Sequence, residues 1–105
     1  MANRREYLER LKLAVEQLHD CSAAHASTVP VHEVFQGKTV WHGEVEVFNL
    51  AGHPKANRCY AWSHPEGLGG RGERFVAVLE IPPVDSAKTA VQVQVASDVR
   101  SGYAP

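Results

Sequence analysis

The chain has no block of like charge, little cysteine and no long apolar run, and each shortage removes a class of function. Its 11 Lys and Arg stand against 12 Asp and Glu, for a formal net charge of -1. No Lys/Arg cluster is present, so there is no electrostatic footprint for duplex nucleic acid or an anionic membrane, and neither is expected as a partner. Cys21 and Cys59 are too few for a disulfide framework and are not in a Cys-x-x-Cys arrangement, so they read as free thiols in a reducing compartment. No stretch approaches the ~18 apolar residues of a membrane span. The opening MANRREYLERLK is charged, without the apolar core of a signal peptide, and a cytoplasmic location is expected. No period of about 20 to 50 residues recurs, which sets repeat architectures aside. The glycine-rich PEGLGGRG lacks GxxxxGK[ST] and does not lead from a strand into a helix, so it reads as a hairpin loop and not a phosphate cradle.

What is present is an ordinary globular composition, 44% hydrophobic and 22% charged, which suits one α+β domain over residues 1–105 with a single core. Thr39 to His64 is its organising stretch. TVWHGEVEVFNL reads as a long strand, AGHPKAN as a turn and RCYAWSH as the returning strand, because β-branched and aromatic residues alternate between Gly, Pro and Asn boundaries. Val29 to Gln36 forms a shorter strand joined to it through QGK, with Pro30 suited to a sheet edge. Glu73 to Ile81 is the fourth strand, ended by Pro82 and Pro83.

Two helices flank the strands. Asn3 followed by Glu6 has the form of an N-cap, and Leu8, Leu11, Val15 and Leu18 recur at helical spacing, which predicts a helix from about Arg4 to about Ala24. Arg4, Arg5, Arg10 and Lys12 mix with Glu6, Glu9 and Glu16 on its solvated side. Cys21 and His25 would sit one turn apart near its end, a ligand pair in form, although both residue types often simply finish a helix. Residues 87–99 alternate like a strand yet carry the i, i+4 stripe Ala87, Val91, Val95 and Val99. The caps Asp85 and Ser86 favour helix. The tail SGYAP reads as frayed.

The expected fold is therefore α-β-β-β-β-α, a two-layer sandwich with both helices on one face of a four-stranded antiparallel meander. Alternation assigns Val29, Val31, Phe35, Trp41, Val45, Val47, Cys59, Ala61, Phe75, Ala77, Leu79 and Ile81 to the covered face. The helix-free face then carries His42, Glu44, Glu46, Phe48, Tyr60, Trp62, His64, Val76 and Val78. A bulge at Gly43 would reverse Trp41 and His42. Bare Tyr, Trp and Phe among aliphatics make a larger apolar patch than a monomer usually exposes, so that face is expected to be an interface. A solvated sheet whose aromatics supply cross-strand pairs is the plainer alternative.

Catalytic patterns are thin. Cys59 falls on the covered set, where a free thiol is an inert small hydrophobe, and neighbours Ser63 and His64 point to opposite faces. Glu44 and Glu46 lie one pleat apart and could do acid/base work, though such pairs more often solubilise a strand. A first turn centred on Gly37 opposes His32 to His42, and a second centred on His53 opposes His42 to His64. That would form a row of three imidazoles, able to hold a metal or clustered without one, while solvated or hydrogen-bonded histidines near strand ends are the plainer reading. No catalytic residue, metal or cofactor is assigned. The candidate binding residues are His42, Glu44, Glu46, Tyr60, Trp62 and His64.

WHGEVEVFNLAGHPKANRCYAWSH, continued by RFVAVLEIPPVDS, resembles small uncharacterised bacterial proteins of the kind carried on integron gene cassettes, over Val29 to about Val99. The resemblance implies a cytoplasmic bacterial accessory protein and a helix after Asp85; it carries no reaction, ligand or functional residue. The leading expectation is thus a non-enzymatic homo-oligomer, a dimer across the Tyr60 and Trp62 face, with a small-molecule or protein partner. The alternative is a small hydrolase-like or isomerase-like enzyme with His42, Glu44, Glu46 and His64 in a pocket. An enclosing pocket favours the enzyme, and a flat self-complementary face favours the oligomer.

Overall fold

The structure, a computed structural model, describes residues 4–66 and 72–100. The Asn3 cap, the centre of the PEGLGGRG loop and the SGYAP tail lie outside the described residues, as does the side chain of Val99. Helix α1 (Arg4–His19) leads into strands β1 (Ser22–Phe35), β2 (Lys38–Ala51), β3 (Arg58–Glu66) and β4 (Gly72–Leu79), and helix α2 (Ala87–Arg100) follows. The strands form one antiparallel sheet in chain order, so the expected α-β-β-β-β-α meander is observed. Helix α2 resolves the ambiguity of its sequence in favour of the i, i+4 stripe: Ala87 and Val91 are buried. Its start is capped as the sequence suggests, with the Thr89 amide donating to Ser86 Oγ and the Ser86 amide donating to Thr89 Oγ1.

Helix α1 is shorter than its periodicity predicts. It stops at His19 because Asp20 turns into the left-handed region, with φ 51, a conformation that Asp tolerates better than most residues. Its inward stripe is Tyr7, Leu11 and Val15, and Leu18 is left 59% exposed. The chain saved at this end goes into β1, which begins at Ser22 and not at Val29, and runs 14 residues to match β2. AAHAST has little strand propensity of its own, but β2 offers a complete ladder, and pairing overrides propensity here. Glu16 fastens the corner by accepting the Ala23 amide at 3.0 Å, and that hydrogen bond holds its carboxyl below the usual range. One extra residue at Ala26, between the His25 and Ser27 pairs, bends β1.

The helices do not share a face. Helix α1 covers Ala23, Phe48, Cys59 and Ala61, with Phe75 and Ala77 alongside. Helix α2 covers Val31, Val45, Val47, Tyr60, Trp62 and Val76, with Val29 and Val78 alongside. The sheet is a middle layer between two single helices, which corrects the two-layer expectation on this point.

The cause is a one-residue difference in register. Glu46 opposes Ala61, so the second turn is centred between His53 and Pro54 and not on His53. His53 shapes that turn, its Nδ1 accepting the amides of Lys55 and Ala56 at 3.1 Å each, after Gly52 at φ 89. Because side chains alternate with period two, the slip reverses β3 and β4 relative to β1 and β2. Each face thereby gains an apolar centre and each centre takes a helix. Phe35, assigned to the core, instead lies at the first turn, 65% exposed.

The two faces place ionisable groups in opposite cores. Cys59 is fully buried, and burial pushes its thiol from an ordinary 9.0 up to about 12. Burial raises the Tyr60 phenol from 10.0 to about 12, helped by its hydrogen bond to Glu80. Both are acids held neutral by the fold, so their stabilisation is whole below the unfolded-state values and is lost as pH rises from about 9 towards 12. Denaturant midpoints measured across that range should fall, and Cys59→Ala should remove the part of the fall that begins near pH 9. A wild-type profile flat from 9 to 12 would contradict the burial.

Candidate functional site

The β2–β3 ladder extends only from Asn49↔Arg58 to Glu46↔Ala61, whereas β1–β2 is paired out to Phe35↔Lys38 and β3–β4 out to Glu66↔Gly72. Beyond Glu46 the sheet therefore forks into two strand pairs, leaving the inner edges of β2 and β3 without strand partners among the described residues. A slot of about 310 Å3 occupies the fork, lined by Tyr7, Trp41, His42, Gly43 and Glu44 on one side and round to Glu46, Trp62, Ser63, His64 and Pro65.

Tryptophans hold one end of the fork. Trp41 and Trp62 meet edge to face, with ring centroids 5.4 Å apart and planes at 68°. Gly43 lets this happen, since a Cβ there would stand 3.2 Å from the Trp41 ring; the indole lies along its own strand over the missing side chain. The expected bulge is not at Gly43. The register shift falls between the Glu33 and Val34 pairs, on the far side of Trp41.

On the α1 side, Tyr7 replaces a rung of the missing ladder. Its hydroxyl accepts the Ser63 amide at 3.2 Å and lies 3.5 Å from Ser63 Oγ. Arg10 stands 6.0 Å above the Tyr7 ring and its guanidinium reaches Glu73 at 2.6 Å, tying α1 to β4.

Glu46 closes the fork. It is 1% exposed, and a buried carboxylate persists only when its charge is partnered. Thr28 Oγ1 donates to its Oε1 at 2.5 Å, His25 Nε2 lies at 2.9 Å and Arg4 Nη2 at 3.4 Å. Arg4 also stands 3.7 Å from Glu44, which is 61% exposed. His25 is thus on β1 serving Glu46, and not one helical turn from Cys21. Both cysteines are free.

Of the residues singled out from sequence, His42, Glu44, Glu46, Trp62 and His64 border the slot. Tyr60 does not: it is 3% exposed under α2, and its hydroxyl donates to Glu80. Trp62 is also 3% exposed, so the Tyr60–Trp62 face is covered by the chain's own helix and is not a free dimer surface. The histidine row is half present. His32 opposes His42 as the first turn requires, with rings 4.8 Å apart, but the register slip puts His64 on the other face. Among the described residues no group of His, Cys, Asp or Glu is placed to hold a metal. Arg4, Tyr7 and Thr28 went unrecognised as site residues in the sequence, and His25 was singled out there only beside Cys21. Tyr7 alone left a signal there, as the first member of the Tyr7, Leu11, Val15 stripe.

Glu46→Gln keeps the shape of the side chain but weakens what Thr28, His25 and Arg4 share, and should cost about 1–3 kcal/mol. Glu44→Gln, at an exposed site, should stay within about 0.5 kcal/mol. Urea midpoints of both variants check this; equal effects would show that Glu46 is not the anchor.

The chain matches no protein-family model, no curated protein and no solved structure, so its function has to be argued from the slot.

Proposed function

We propose that the protein is a small-molecule binding module whose site is the fork between the two hairpins. The observation that carries this is the arrested β2–β3 ladder: strand edges, aromatic rings and carboxylates converge on a concavity in the middle of a sheet. Concave sites at the low end of the small-ligand range, roughly 300–1,000 Å3, take compact ligands, and the slot falls there. This moves the expected binding surface from a bare sheet face into the sheet. Trp41 and Trp62 supply the readout. Titration of the full chain with a library of small fragments, followed by tryptophan fluorescence, should give saturable changes that Trp41→Phe alters. A library without any saturating member would defeat the proposal.

A second reading, a small enzyme, is favoured by His42, Glu44, Glu46 and His64 bordering one cavity. Glu46 is poorly suited to act as a base, since its Oε1 already accepts from neighbouring side chains. His42 and Glu44 would have to carry the chemistry. Turnover of a bound fragment that His42→Ala abolishes would favour this reading over simple binding.

Homodimerisation, without the Tyr60 and Trp62 face that α2 covers, is supported by the large apolar side chains left exposed at Leu18, Val34 and Phe35. A sedimentation coefficient that stays monomeric at micromolar concentration removes it. The likeness to cassette-borne bacterial proteins supports an accessory role inside the cell, and a coding sequence flanked by no recombination site would count against that origin.

A further inference from the structure

We propose that the ligand of the slot is a small organic cation of the alkylammonium class. The inference rests on the slot being a binding site, and it comes from the chemistry of the lining. Tyr7, Trp41 and Trp62 line the cavity together with the carboxylates Glu44 and Glu46 and the imidazoles His42 and His64. Among the described residues neither lysine nor arginine lines it. An aromatic ring attracts a cation through the negative potential of its face, and the attraction grows as the cation loses water. Arg4 pairs with both carboxylates, at 3.7 and 3.4 Å, so one guanidinium stands against two negative charges, and a neutral ligand would use the rings but leave that excess unanswered.

The two carboxylates are not equivalent. Glu46 is buried and already engaged by Thr28, His25 and Arg4, so it fixes one wall of the slot and is not free to move to a ligand. Glu44 is 61% exposed, and its ion pair with Arg4 spans 3.7 Å, beyond hydrogen-bond distance. It can swing to a ligand at little cost, since an exposed pair of this kind is worth about 0–1 kcal/mol. The alkyl groups would meet the indoles, the charge would face Glu44, and Tyr7 would close the α1 side while keeping its bond to Ser63.

The test compares choline with 3,3-dimethyl-1-butanol, its uncharged counterpart of the same shape, by calorimetry and tryptophan fluorescence on the full chain at constant ionic strength. Choline should bind about tenfold or more tightly than the alcohol, the scale of a desolvated cation–aromatic contact plus one carboxylate. Glu44→Gln, which lies at an exposed position, should erase most of that preference while leaving the alcohol unchanged. Equal binding of the two compounds would overturn the cation assignment and leave the slot standing as a site. Choline binding unaffected by both Glu44→Gln and Trp41→Phe would place the cation elsewhere and also overturn it. Absence of choline binding overturns the inference, and the fragment titration then decides separately whether the slot binds anything.

Discussion

The short ladder from Glu46↔Ala61 to Asn49↔Arg58 joins the two hairpins, and both the layering and the slot depend on it. Its register decides which side chains face which helix. Moved by one residue, Tyr60 and Trp62 would leave the α2 side and stand with Phe48, and one face would hold most of the large apolar groups. In the observed register they are divided, so each face buries enough apolar surface to retain one helix. Its length decides the rest, because the strands stop pairing at the point where Glu46 turns its carboxylate into the α1 side.

Electrostatics and packing are tied at that point. A charge as deeply buried as that of Glu46 is tolerated only with partners around it, and these come from the start of α1 and from β1 on either side of its bulge. The bulge at Ala26 sets the phase in which Thr28 and His25 both reach Oε1, although three residues apart in a strand would ordinarily place them on opposite faces. An irregularity in the least strand-like segment of the chain thus serves its most buried charge.

Much of this was legible in the sequence. Periodicity gave the order of elements, the caps at Ser86 and the pairing of His32 with His42, because each rests on local signals. The register of the second hairpin did not follow, since His53 shapes a turn by accepting backbone amides, a role that a histidine in AGHPKAN does not advertise. That single error carried the helices to one face and bared Tyr60 and Trp62. Of the candidate residues, His42, Glu44, Glu46, Trp62 and His64 border the fork, from both faces, and Tyr60 lies apart under α2. Arg4, Thr28 and His25 were beyond reach, because their common partner is set by tertiary contact alone.

The opening turns of α1 are bound to the sheet less by apolar burial than by Arg4 on Glu46, Tyr7 on Ser63 and Arg10 on Glu73, contacts that straddle the fork. Loosening of those turns and widening of the slot are therefore one event. In the language of local unfolding, the start of the helix and the inner edges of β2 and β3 belong to a single cooperative unit. Whatever fills the slot would slow the fraying of a helix it barely touches.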